Sequence, residues 1–214
     1  MIAAVGDRPV VRPHAVIFDI GNVLFHWDPR FLYERLIDDD RALDAFVREV
    51  VTHDWHFQHD AGRNFADTSA ELIAAHPHHA DLIAAWGPRF NESVGAPVAG
   101  MHAVVEALDE AGVPLFAITN FSHEFFPPFR AEWPELFDRF RNIVVSGEER
   151  MVKPDPAIYH LALARFGLQP GEAVFVDDNP ANVDAANAIG IDAHLFRDAP
   201  SFRAFLAEHE LLAA

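Results

Sequence analysis

Five short runs of aliphatic, β-branched and aromatic residues punctuate the chain, at 15–19, 115–119, 143–146, 173–177 and 193–196. Most are apolar almost throughout and close on or beside a polar residue. Continuous apolar runs of this length suit strands buried on both faces. Helical patterns separate the later runs. At 101–111 apolar residues recur at helical spacing and stop at Gly112. The stretch 155–166 opens on Asp155-Pro156, an N-cap followed by proline at the first helical position, and ends before Gly167. A third pattern, 181–189, ends at Gly190. Strands alternating with helices predict an α/β fold built on a Rossmann-like, doubly wound parallel sheet.

Residues 29–95 read differently. Helices are expected at 31–37, 41–51, 65–75 and 80–90, and no strand. Asp28-Pro29 and Gly95-Ala96-Pro97 bracket the segment as hinges. The expected organisation is a core of residues 1–28 and 97–214 with an inserted helical cap at 29–96, lying over the carboxyl edge of the sheet.

Composition removes several classes of function. The formal net charge is −17, which repels phosphate backbones and argues against nucleic acid as a partner. No apolar run approaches the roughly 18 residues that span a bilayer, so no membrane association is expected. Residues 1–13 carry two arginines and no apolar stretch of the kind a signal peptide needs, so the expected location is cytoplasmic. The absence of cysteine excludes disulfides, thiolate metal sites and a cysteine nucleophile. The expected partner is a small-molecule substrate.

In open α/β sheets, ligands bind beyond the carboxyl ends of the strands. The residues at those ends here are Asp19, Thr119-Asn120, Lys153 and Asp177-Asp178. Lys153 is the only lysine among 16 basic residues, and it sits in a strand-end loop before Pro154. Three aspartates in one crevice repel one another at neutral pH, and a single ammonium cannot cancel them. A divalent cation can, and oxygen ligands without cysteine point to Mg²⁺ rather than zinc.

Four segments carry a family resemblance. Val16-Ile17-Phe18-Asp19-Ile20-Gly21-Asn22-Val23-Leu24 resembles the first motif of the haloacid dehalogenase (HAD) superfamily, and Leu115-Phe116-Ala117-Ile118-Thr119-Asn120 the second. Val152-Lys153-Pro154-Asp155-Pro156-Ala157-Ile158-Tyr159 is similar to the third. Val174-Phe175-Val176-Asp177-Asp178-Asn179-Pro180-Ala181-Asn182, followed by Ala185-Ala186, is similar to the fourth. The helical insert stands where HAD enzymes of the first cap type carry their cap. The resemblance implies Asp19 as nucleophile, with the amides of Ile20 and Gly21 and the hydroxyl of Thr119 holding the group under attack. Asn120 belongs to the same catalytic set. Lys153 would neutralise Asp19 and the developing charge. Mg²⁺ would be held by Asp19, Asp178 and the Gly21 carbonyl, with Asp177 acting through a water.

The pattern breaks at Gly21, where HAD phosphatases carry a second aspartate as general acid and base. Such proton transfer typically contributes 10²–10⁴-fold. His26 and Asp28 follow on the same passage as candidate substitutes, against a plainer reading as hinge residues. A metal-independent 2-haloacid dehalogenase is the alternative function. It would need no acid at that position, would take a cap arginine (Arg35, Arg48 or Arg63), and would use Tyr159 at the substrate. Against it, dehalogenases carry serine where this chain has Asp177. Val23 replaces a threonine common to both groups. A phosphatase acting on a small phosphomonoester is therefore favoured. A non-catalytic binder on the same fold is a further alternative, but a binder has no need of the nucleophile.

His53, His56 and His59 recur every three residues beside Asp54 and Asp60, and His76, His78 and His79 cluster further on. Histidines at i and i+3 can share a metal on a helix. Solvated cap histidines are the expectation here. Trp27, Trp55, Phe57 and Trp86 are placed either along a substrate pocket or in the cap interior.

Overall fold

The protein was analysed as a computed structural model that describes residues 12–213. Most of the N-terminal stretch read for a leader lies outside the described residues.

β1 (Ala15–Phe18) runs into a tight loop and β2 (Phe25–Trp27). Helices α1 (Arg30–Tyr33), α2 (Asp40–Glu49), α3 (His53–Asp60), α4 (Phe65–Ala75) and α5 (Ala80–Ala85) follow, and β3 (Val94–Pro97) brings the chain back. Next come α6 (Met101–Glu110), β4 (Leu115–Thr119), α7 (Phe126–Glu132), α8 (Pro134–Phe137), β5 (Asn142–Val145) and α9 (Ser146–Glu149). The chain closes with α10 (Pro156–Phe166), β6 (Ala173–Asp177), α11 (Pro180–Ala188), β7 (Asp192–Leu195) and α12 (Ala199–Glu208).

The five strands read from the sequence form one sheet in the order β5-β4-β1-β6-β7, and every neighbouring pair is parallel. All residues of β1, β4 and β6 are buried, because helices cover both faces. Side chains alternate accordingly. Ile17, Ile118 and Phe175 pack with Tyr159 and Leu163 of α10, while Phe18, Val174 and Val176 pack with Val104 of α6 and Phe202 of α12. Expected helix boundaries hold where a cap fixes them. Asp155 accepts from the Ala157 amide at the start of α10, and Gly167 ends it at φ 71°.

Helices α7, α8, α9 and α12 have no counterpart in the sequence reading. Two prolines in α7 and the four-residue lengths of α8 and α9 conceal the helical period. The insert also departs from expectation. The helix expected at 31–37 is the single turn α1, and that at 80–90 breaks into α5 and a 3-10 turn at Phe90–Ser93. Helix α3 was not foreseen at all. The expectation of no strand fails at Val94 and Gly95, because β3 pairs antiparallel with β2 to form a two-stranded ribbon at the root of the helices. Strands of three and four residues containing Gly95 and Pro97 show no alternation in sequence. Glycine at 95 lets the Phe31 ring pack close: a Cβ there would lie 2.7 Å from it, and the ring would have to shift.

Candidate active site

The parallel register sets Phe18 of β1 beside Ala117 of β4 and Val176 of β6. The residues that follow therefore emerge together at the carboxyl edge. There a cavity of about 200 Å³ is lined by Asp19, Ile20, Gly21, Asn120, Lys153 and Asp178.

The Lys153 ammonium is buried between two carboxylates, 2.8 Å from Asp19 Oδ1 and 2.6 Å from Asp177 Oδ2. Burial alone would lower its pKa, but Asp177 and Asp19 outweigh burial and hold it above the ordinary lysine value. Asp19 is pushed up to about 7, chiefly by burial, against the lowering effect of Lys153 and with added repulsion from Asp177 and Asp178. Burial, and then Asp177, raise Asp178 as well. One oxygen from each of the three carboxylates lies within 4.8 Å of the others.

The two oxygens of Asp177 are already occupied. Oδ1 accepts from the Asn179 amide at 2.9 Å and from Asn182 Nδ2 at 3.0 Å, while Oδ2 accepts from Lys153. Asn120 grips the backbone of Lys153 from both sides: Oδ1 accepts from the Lys153 amide at 2.8 Å, and Nδ2 donates to its carbonyl at 3.0 Å. Asn120 thus positions the ammonium. At Asp19, the recorded hydrogen bond from the Ile20 amide (2.7 Å) and the ion-pair contact with Lys153 both fall on Oδ1. The loop after Asp19 is tight. The Leu24 and Phe25 amides donate to the Ile20 carbonyl, and Asn22 takes a left-handed conformation at φ 53°.

Three of the residues read from sequence lie outside the cavity wall. Asp177 is fully buried against Lys153, and Thr119 is buried at the end of β4. Tyr159, expected at the substrate, does not line the cavity. It is fully buried, edge-on to Phe175, and its hydroxyl donates to the Asn182 carbonyl at 3.0 Å. An aromatic on the buried face of α10 serves the sheet, and it props the asparagine that holds Asp177.

The insert adds His53, His56, Asp60 and Phe90 to the wall of the same cavity, and Trp27, one of the aromatics placed along a pocket or in the cap interior, lines it from β2. His56 and His59 are buried rather than solvated. His59 Nε2 is 2.7 Å from Thr68 Oγ1. Burial, and then His59 and His53, push His56 well below the ordinary histidine value. Among the described residues, Asp19, Asp177 and Asp178 form the only cluster suited to a metal, and the histidine triplet does not form one. Trp55 and Trp86 are buried with their rings 6.0 Å apart, away from the cavity wall. His26 is exposed, Asp28 spends Oδ1 on the Arg30 amide, and neither lines the cavity. Arg35, Arg48 and Arg63 each pair with a glutamate, away from the cavity wall.

A parallel sheet with an aspartate just past its central strand, a buried lysine and paired acidic residues is the arrangement of a HAD-type hydrolase. The chain belongs to that family: the model for haloacid dehalogenase-like hydrolases matches residues 13–190. It is 30% identical over 180 residues to a sesquiterpene phosphatase of Aspergillus oryzae, covering 83% of this chain and 86% of that one. A HAD-like family hydrolase of Porphyromonas gingivalis has the same fold, with TM-score 0.70, 19% identity, and coverage of 92% and 98%. So does a HAD-family enzyme of Bacteroides thetaiotaomicron solved with magnesium and inorganic phosphate, with TM-score 0.67, 17% identity, and coverage of 87% and 96%. The L-2-haloacid dehalogenase of Xanthobacter autotrophicus shares the fold at TM-score 0.56 and 18% identity, with coverage of 85% and 76%. At these identities the three structures speak for the fold alone. No helix among the described residues is long and apolar enough to cross a membrane.

Proposed function

We propose that the protein is a Mg²⁺-dependent phosphatase for a small phosphomonoester, with Asp19 as nucleophile and residues 29–96 as its cap. The observation that carries this reading is the meeting of the Asp19, Asp177 and Asp178 carboxylates within 4.8 Å of one another at the base of the cavity, with one ammonium paired to the first two. Like charges about 4 Å apart cost about 4 kcal/mol per contact at an effective dielectric near 20, before screening. A phosphate dianion would add to that repulsion.

The donor set fits Mg²⁺: hard oxygens, no thiolate, and a net deficit of positive charge. Asp19, Asp178 and the Gly21 carbonyl would hold the ion. Asp177, with both oxygens engaged, would act through a water. Bound there, Mg²⁺ supplies charge neutralisation at the phosphoryl oxygens.

The chain's own residues do the rest. Lys153 pins Asp19 Oδ1, which leaves Oδ2 for attack on phosphorus. As the bond from Oδ2 to phosphorus forms, the bond to the leaving oxygen breaks, and water later cleaves the resulting aspartyl phosphate. Phe25, Trp27, Phe90, Phe121 and Phe129 line the rest of the cavity, which suits a substrate with an apolar body. The name of the Aspergillus oryzae relative agrees with phosphatase chemistry.

Gly21 favours a second reading, metal-independent dehalogenation, which needs no acid at that position. The pairing of Arg35, Arg48 and Arg63 outside the cavity weighs against it. The test is a screen of small phosphomonoesters and 2-haloacids with the wild-type protein and Asp19→Asn. Phosphate release that falls at least about a thousandfold in Asp19→Asn is expected. Halide release without phosphate release would instead select the dehalogenase.

A further inference from the structure

We propose that Asp60, delivered by cap helix α3, is the proton donor and acceptor of the reaction, in place of the carboxylate absent at position 21. The inference rests on the phosphatase reading above.

Gly21 lines the cavity, and a Cβ built on it would meet nothing within 4 Å. The space that a side chain at 21 would occupy is therefore open. Asp60 lines that same cavity from the cap. Its residue exposure is only 6%, and its Oδ1 has no hydrogen-bond partner among the described residues. A carboxylate kept for structure is normally satisfied on both oxygens, because a buried polar atom without a partner is costly. This one is buried, has one oxygen without a partner, and belongs to a residue in the cavity wall.

Its placement is fixed twice over. The Asp60 carbonyl accepts from Ser146 Oγ at 2.7 Å, and the same hydroxyl accepts from the Phe121 amide at 3.0 Å. The C-terminal end of α3 is thereby tied to the junction of β5 and α9 in the core. His56 Nε2 lies 3.5 Å from Asp60 Oδ2, and its ring stacks on Trp27 at 4.7 Å. His56 is a positioning residue. Burial, and then the charge of Asp19, hold the Asp60 carboxyl well above its usual range, so it meets the substrate as an acid.

The proton balance closes over two steps. As Asp19 attacks phosphorus and the bond to the leaving oxygen breaks, the Asp60 proton passes to that oxygen, giving the free alcohol and Asp60 carboxylate. The carboxylate then takes a proton from water as the water oxygen attacks phosphorus. The bond from Asp19 to phosphorus breaks, phosphate departs, and Asp60 is again protonated.

The test compares phenyl phosphate, whose leaving oxygen needs a proton, with p-nitrophenyl phosphate, whose anion leaves without one. Both are assayed with Mg²⁺ on wild type, Asp60→Asn, and Asp60→Asn combined with Gly21→Asp. Asp60→Asn should lose 10²–10⁴-fold on phenyl phosphate. With p-nitrophenyl phosphate it should still release a burst of about one equivalent of nitrophenolate, followed by slow turnover. The double variant should regain at least tenfold on phenyl phosphate. Equal losses on the burst and on phenyl phosphate, no loss on either, or a double variant no better than Asp60→Asn would overturn the assignment while leaving the phosphatase reading standing. A wild-type protein inactive on every phosphomonoester would overturn both.

Discussion

The Lys153 ammonium donates to Asp177 at 2.6 Å, with side-chain exposures of 1% and 0%. The same nitrogen lies 2.8 Å from Asp19, so one cation serves two buried acids. Removing one partner of a buried pair costs about 3–5 kcal/mol, because the remaining charge is left uncompensated. Lys153→Met should therefore lose turnover and also lower Tm. Added Mg²⁺ should restore part of the Tm but none of the activity. Near-wild-type kcat in this variant would remove Lys153 from the chemistry.

The value near 7 for Asp19 has a consequence for metal binding. In metal-free protein near pH 7 the raised carboxyl holds a proton part of the time, and a cation bound beside it must displace that proton. Mg²⁺ binding near pH 7 should release protons, and the release should fall as pH is raised to 9. Titration calorimetry in buffers of different ionisation enthalpy reads this release directly. Binding with no proton release at pH 7 would show that Mg²⁺ does not contact Asp19.

Asp60 makes a prediction about stability that is separate from catalysis. Its folded pKa is raised well above the unfolded value, so the native state binds the extra proton, and stability is lost as pH rises through that window. Asn at this position cannot ionise. The Tm of Asp60→Asn should therefore gain on wild type as pH is raised from 5 to 8. A Tm difference that is flat over this range would mean that Asp60 carries no such penalty.

The extent to which this was legible in the sequence follows from what each residue depends on. β4 and β6 could be placed to the residue, because strands buried on both faces are continuous apolar runs that end where the chemistry begins. Asp19 and Asp178 share one edge as a direct consequence of that register, whereas Lys153, beyond β5 and α9, is held there by the two hydrogen bonds of Asn120. Asp60 was named only beside a histidine triplet. Its role depends on α3 being a helix, on the i,i+4 pairing with His56, and on the Ser146 hydroxyl that docks the cap. Helix α3 buries Trp55, His56, His59 and Asp60 together, so polar and apolar residues share its inner face and no amphipathic pattern marks it. Tyr159 misled for the converse reason. Its position matched a substrate contact, but the face of α10 that carries it packs on Phe175. Sequence spacing alone does not say which way that helix turns.

Three clustered carboxylates with a single ammonium require a divalent cation for phosphate chemistry. The direct measurement is phosphate release from a phosphomonoester in EDTA, then after Mg²⁺ is restored, for wild type and Asp178→Asn. Wild type should be inactive in EDTA and recover with Mg²⁺, and Asp178→Asn should stay low at Mg²⁺ concentrations that saturate wild type. Halide release from 2-chloropropionate in EDTA, unaffected by Asp178→Asn and with no phosphate release under any condition, would contradict the claim.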